Sequence, residues 1–220
     1  MGSATAGVIF DLDGVLTDTA ELHYQSWKWL AGELGIPFDR DRNEPLRGLS
    51  RRASLERLLG QRSAEFSEAQ KQDLARRKNE HYLARVARLT PADLLPGAAA
   101  LLEDVRRRGL AVAVASSSRN AGAVLDRLGI RPLIDAVVDG NDIDRAKPDP
   151  QVFLAAAERL GLPPQRCIVV EDAASGVAAG LAAGMRVVGI GPADRVGGAH
   201  LVRGTIAELR ADELVRLLGV

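Results

Sequence analysis

Only one cysteine, Cys167, occurs in the 220 residues, so no disulfide can form within the chain and a reducing compartment, the cytoplasm, is the expected setting. Cys167 opens the apolar run Cys167-Ile168-Val169-Val170 with no His or Lys beside it to lower its pKa, which points to a buried structural thiol. Net charge is lacking as well. The 29 basic and 29 acidic residues cancel, which removes the broad electropositive footprint of a nucleic-acid binder, so any anion recognition has to be local. Long hydrophobic runs are missing too: Val8-Ile9-Phe10 is far short of a signal-peptide apolar region or a membrane span. There is no internal repeat and no low-complexity tract. What remains is an ordinary globular composition, 46% hydrophobic and 26% charged, in a length that suits one large domain or a core with an insertion.

The apolar residues that are present come in short runs bounded by turn signals: Val8-Ile9-Phe10, Ala111 to Ala115, Ala136-Val137-Val138, Ile168-Val169-Val170 and Val187 to Ile190. These read as strands buried on both faces. Between most of them lie helical patterns, Ala98 to Arg108, Ala121 to Leu128, Pro150 to Leu160 and Ser175 to Ala183, each followed closely by glycine. Alternation of this kind predicts an α/β fold, a Rossmann-like parallel sheet core with helices on both faces, whose ligands bind beyond the carboxyl ends of the strands. Gly176, Gly180 and Gly184 are expected to let a helix lie close on that sheet.

The stretch from 17 to 91 breaks the alternation. It has no strong strand signal, and Leu22, Ser26, Trp29, Leu30 and Leu34 follow helical steps. Asp18 with Glu21 three residues on predicts an N-cap with a reciprocal acid, and Gly35-Ile36-Pro37 a stop. The expected organisation is a discontinuous core, residues 1–16 and 92–220, with residues 17–91 inserted as a helical cap. Two nearby connections suit a hinged lid.

Asp11-Leu12-Asp13-Gly14 directly follows the first strand, which brings two carboxylates into the crevice side by side. A divalent cation relieves such repulsion, being a hard ion that takes carboxylate and phosphate oxygens. Taken alone, the pair is equally readable as a solvated turn. Three further strand ends change the balance. Ser116 brings a hydroxyl before a helix, Lys147 a point charge able to neutralise a transferring phosphate, and Glu171-Asp172 two more carboxylates.

These four stretches resemble the motifs of the haloacid dehalogenase superfamily, and the resemblance covers essentially the whole chain. It implies that Asp11 is a nucleophile forming an aspartyl phosphate, that Asp13 is the general acid/base, and that Ser116 and Lys147 support the transfer. It also implies one Mg2+ per chain, bound by Asp11, the backbone carbonyl of Asp13, Glu171 and Asp172. Ala173 stands where the family commonly has Ser.

The core motifs do not separate a phosphatase from a mutase, because both pass through one phosphoenzyme and differ in whether water or a sugar hydroxyl accepts the phosphoryl group. In the cap, Asp18 to His23, Trp27, Leu46 to Leu55 and Arg77 to Asn79 resemble the β-phosphoglucomutases, as do Pro91 to Asp93 and Ser116 to Asn120. That likeness implies sugar-phosphate contacts from Thr19, His23, Trp27, Leu46, Arg47, Gly48, Arg51, Ser54, Lys78, Ser118, Arg119 and Asn120. Arg51, with a planar fork suited to phosphate, is the expected anchor of the distal phosphate, helped by Ser118 and Asn120. Arg47 stands where the family often has another basic residue. His23 and Trp27, four residues apart, are expected on the cap face turned to the core. β-Glucose 1,6-bisphosphate is the implied primer and intermediate, the implied partners are small sugar phosphates with no nucleic acid and no membrane, and a monomer is expected. Two alternatives stay open at this point: a sugar-phosphate or phosphoglycolate-type phosphatase, and a silent binding module that has kept the fold.

Overall fold

The computed structural model describes residues 4–219. Six strands form one parallel sheet: β1 (Gly7–Phe10), β2 (Ala111–Ala115), β3 (Ala136–Val138), β4 (Cys167–Glu171), β5 (Arg186–Ile190) and β6 (Leu201–Arg203). Their order is β3-β2-β1-β4-β5-β6. The chain therefore fills one side of β1, then crosses to the other, and the crevice where the order reverses opens at the carboxyl end of β1.

The helices, in chain order, are α1 (Thr19–Glu33), α2 (Arg40–Asn43), α3 (Arg51–Leu59), α4 (Glu68–Val86), α5 (Ala98–Arg107), α6 (Ala121–Arg127), α7 (Gln151–Leu160), α8 (Ala174–Ala182), α9 (Ala193–Val196) and α10 (Ala211–Leu218). Successive strand residues feed opposite cores. Val8, Phe10, Val112, Val114, Ile168 and Val170 pack with α5, α6 and α10, whereas Ile9, Ala113, Val169 and Val187 pack with α7, α8 and α9. Each fully buried aliphatic side chain of this kind stabilises the fold by about 1.5–3 kcal/mol relative to exposure. Cys167 is fully buried, and burial pushes its thiol up to about 11. Gly180 lies where a Cβ would meet Val187 and Val169, the close helix-to-sheet approach its spacing predicts.

Between β1 and α5 the chain is helical and carries its own core of Trp27, Leu30, Ala31, Leu46, Leu55, Leu58, Leu59 and Leu74. The two connections to the sheet run side by side: Thr17 bridges Leu94, the Leu95 amide donates to the Leu16 carbonyl at 2.9 Å, and the Thr17 hydroxyl donates to the Asp93 carbonyl at 2.8 Å. Asp18 caps α1 by accepting the Glu21 amide. The expected reciprocal bond from Glu21 does not form, because its carboxylate is taken by Arg40 at 2.8 Å. Trp29 also departs from the predicted stripe. It is half-buried and stacks on His81 at 4.5 Å, while Tyr24, Trp27, Leu30 and Ala31 form the buried face. Among the described residues no helix is long and apolar enough to cross a membrane.

Candidate active site

The β1 strand delivers Asp11 to the crevice with the ladder still intact: its amide donates to the Val170 carbonyl at 2.9 Å. Gly14 follows with φ +92°, a conformation costly for residues bearing a Cβ, and a Cβ there would strike the Asp172 carboxylate. The turn can only close as tightly as it does around glycine. From the end of β4 come Glu171 and Asp172, and carboxylate oxygens of Asp11, Glu171 and Asp172 all lie within 4.8 Å of one another. All three residues are buried.

Lys147 enters from the loop before α7, through a cis Lys147-Pro148 peptide, and its ammonium is buried between the acids. It lies 2.5 Å from Asp11 Oδ1 and 2.6 Å from Glu171 Oε1, and donates to the Ala115 carbonyl at 3.3 Å. Burial alone would lower its pKa, but Asp11 and Glu171 together outweigh burial and raise it, so the lysine stays protonated. Burial pushes the Asp11 carboxyl up to about 8, with Glu171 and Asp13 adding to the rise and Lys147 opposing it. Asp11, Glu171 and Asp172 together present a hard-oxygen donor set that fits a divalent cation such as Mg2+. Glu171 also accepts the Ala173 amide at 2.7 Å, so it is held in place from both oxygens. Asp172 instead meets the guanidinium of Arg47, reaching in from the cap.

Asp13 belongs to the junction between sheet and cap. Its carboxylate accepts the Thr19 hydroxyl at 2.6 Å and the Ser116 hydroxyl at 3.2 Å, and His23 Nε2 lies 3.6 Å away. Burial raises its pKa, and the Thr19 and Ser116 hydroxyls pull the other way. The Asp13 side chain is thus separate from the three-carboxylate cluster. Behind it, Lys78 Nζ lies 2.7 Å from His23 Nδ1 and sits over the rings of Trp27 (4.7 Å) and Tyr82 (5.0 Å). Tyr82 stacks on His23 with centroids 4.1 Å apart. Burial, reinforced by the charges of Lys78 and Arg51, holds His23 well below the usual histidine range.

A cavity of about 860 Å³ joins these groups, lined by Asp11, Asp13, His23, Trp27, Leu46, Arg47, Gly48, Arg51, Ser54, Lys78, Ser118, Arg119, Glu171 and Asp172, all anticipated from the sequence. Thr19, Ser116 and Lys147 are buried behind its wall. Asn120 is engaged otherwise than expected: its amide donates to Asn79 Oδ1 of the cap at 2.9 Å. Tyr82, outside every stretch singled out in the sequence, stacks on His23, while Asn79 and the buried, unpartnered Ser117 hydroxyl, within the stretches Arg77 to Asn79 and Ser116 to Asn120, also line the cavity. Tyr82 had a signal, since it follows Lys78 by four residues just as Trp27 follows His23.

Arg51 and Arg119 form a second cationic group. Among the described residues neither has an ion pair, and burial together with the charge of Arg119 lowers the Arg51 pKa. Two neighbouring guanidiniums without a carboxylate make an anion-binding corner.

A family model described as haloacid dehalogenase-like hydrolase matches residues 5–184. The chain belongs to that family. Within it, a β-phosphoglucomutase of Bacillus subtilis is 47% identical over 197 residues, covering 89% of this chain and 87% of the relative. The crystal structure of a β-phosphoglucomutase from Clostridium difficile superposes with a TM-score of 0.94 at 38% identity, covering 98% and 97% of the two chains. A phosphorylated carbohydrates phosphatase of Thermotoga maritima is 31% identical over 96% of this chain and 97% of its own. Haloacid dehalogenase-like members thus include both transfer to sugar and transfer to water, and the cap geometry bears on which applies.

Proposed function

We propose that this enzyme is a β-phosphoglucomutase, interconverting β-D-glucose 1-phosphate and glucose 6-phosphate. The observation that carries the reading is the pairing, in one cavity, of a nucleophilic corner at Asp11 with a separate anion corner at Arg51 and Arg119. A phosphatase needs the first corner only. A mutase has to hold one phosphate of the sugar while the other reacts.

In this mechanism phospho-Asp11 transfers its phosphoryl group to the 6-hydroxyl of β-glucose 1-phosphate. The P–O bond to Asp11 breaks, the bond to O6 forms, and Asp13 takes the hydroxyl proton. β-Glucose 1,6-bisphosphate then reverses in the cavity. Its 1-phosphoryl group passes to Asp11, Asp13 returns the proton to O1, and glucose 6-phosphate leaves with the phosphoenzyme restored. Lys147 neutralises charge beside Asp11, and Ser116, with Thr19, orients Asp13. Arg51 anchors the idle phosphate with Ser118 and Arg119. Asp11, the Asp13 carbonyl, Glu171 and Asp172 would hold one Mg2+, which when bound offsets charge on the nucleophile and the transferring phosphate.

Residues 17–91 act as a lid over a core built from 1–16 and 92–220, excluding the water that would hydrolyse phospho-Asp11. The trace bisphosphate is the primer. The enzyme acts as a monomer in this reading, and a single buried thiol supports a cytoplasmic setting. The testing assay supplies purified protein with Mg2+, β-glucose 1-phosphate and trace bisphosphate. Glucose 6-phosphate is expected to accumulate faster than free phosphate, and free phosphate as the major product would assign a phosphatase.

A further inference from the structure

The cap segment between α2 and α3 touches the core through three of its residues. Arg47 reaches Asp172, the Arg47 carbonyl accepts the Ser175 hydroxyl at 3.1 Å, and Gly48 lies so close to Ser175 that a Cβ would strike its hydroxyl. The third residue, Glu44, faces Arg195 of α9, with Oε1 3.5 Å from Nη1. Arg195 is itself seated by the sheet: its guanidinium lies on Gly191, at the end of β5, where φ is +122° and a Cβ would meet the Arg195 side chain. The result is an alternating row that crosses between core and cap twice, Arg195 to Glu44 and Arg47 to Asp172.

Arg47 and Arg195 each keep a buried Nε without an acceptor among the described residues, so each guanidinium is held at this junction by its carboxylate, Asp172 for Arg47 and Glu44 for Arg195.

We propose that Arg195 is a positioning residue for phosphoryl transfer, acting through Glu44 to seat the cap segment that carries Arg47 and Gly48 at the site. The role rests on the transfer reading given above. It takes no contact from Arg195 to the reacting groups, and it works by biasing the cap toward the seated position. A partly exposed ion pair biases such an equilibrium by about two- to fivefold. Removing either partner breaks the same pair, so the two deletions are expected to cost alike and not to add.

The experiment measures kcat and KM for β-glucose 1-phosphate, with Mg2+ and trace bisphosphate, in the full-length wild type and in Glu44→Gln, Arg195→Gln, Arg195→Lys and the Glu44→Gln/Arg195→Gln double variant. Thermal melting is followed alongside. Glu44→Gln and Arg195→Gln are each expected to raise KM about two- to fivefold with kcat changed less than twofold. The double variant should match either single variant, since all three lose the same pair, and Arg195→Lys should stay near wild type. Additive losses in the double variant, or losses tracking a fall in melting temperature, would overturn the role. Wild-type conversion to glucose 6-phosphate is the separate readout of the transfer reading, and its absence would overturn both.

Discussion

Lys78 Nζ lies 2.7 Å from Nδ1 of His23, and this contact fixes the imidazole in use. Asp13 faces Nε2 at 3.6 Å and draws the histidine hydrogen there, which leaves Nδ1 to accept from the Lys78 amine, a donor in either protonation state. One cap lysine thereby holds the group beside the acid/base. Replacing Lys78 with Met is expected to lower kcat for β-glucose 1-phosphate by about tenfold, the scale of a lost hydrogen bond whose buried acceptor is left unsatisfied. Steady-state kinetics at fixed Mg2+ checks this.

The same lysine predicts a pH signature in stability. Burial, aided by Arg51 and opposed by Asp13, pushes Lys78 from 10.5 down to about 7. Between those two values the unfolded chain holds a proton that the folded chain has released, so stability from this group rises as pH increases from about 7 towards 10.5. Denaturant unfolding of wild type and Lys78→Met across that window should show the wild type gaining on the variant as pH rises. Parallel curves would contradict the shift.

The carboxylate cluster of Asp11, Glu171 and Asp172 predicts that Mg2+ binds the folded chain and so stabilises it. At about one hundred times its Kd a ligand adds about 2.7 kcal/mol, which in a chain of this size raises Tm by roughly 5–10 °C. Calorimetry with Mg2+ or a chelator should show that rise in wild type and lose most of it in Asp172→Asn.

Gly14 offers a structural test of the same corner. Alanine there meets both the φ of +92° and the Asp172 carboxylate, so Gly14→Ala is expected to cost about 1–2 kcal/mol of stability from the backbone alone and to weaken Mg2+ binding as Asp172 is displaced. Urea unfolding and Mg2+ titration read the two effects separately.

At the anion corner, Arg51→Ala is expected to lower kcat/KM for β-glucose 1-phosphate by about 10- to 100-fold, the scale of lost hydrogen bonds to a charged group. Hydrolysis of a small aryl phosphate, which has no second phosphate to anchor, should change little. Equal losses in the two assays would count against the anchor.

The parts of this protein legible in its sequence are those that local pattern encodes. Five strands and the four helices between them follow from apolar runs and glycine stops, and Asp11, Lys147 and Asp172 stand out because charged residues at the ends of buried strands need a reason. Strand β6 escaped because Leu201-Val202-Arg203 is three half-buried residues at a sheet edge, with no run to mark it. Glu21 was misjudged because the capping pattern is local while its actual partner, Arg40, lies nineteen residues on. Trp29 was misjudged because helical spacing does not say which of two adjacent stripes is buried. The Arg195–Glu44 pair spans 151 residues and no local pattern announces it.

The acceptor of the Asp11 phosphoryl group separates a mutase from a phosphatase. The direct measurement is to form the phosphoenzyme with radiolabelled bisphosphate, mix it rapidly with β-glucose 1-phosphate and Mg2+, quench, and separate labelled sugar phosphates from labelled inorganic phosphate. Most of the label is expected to leave Asp11 for sugar. Label appearing chiefly as inorganic phosphate, at the same rate with and without the sugar phosphate, would contradict transfer to sugar.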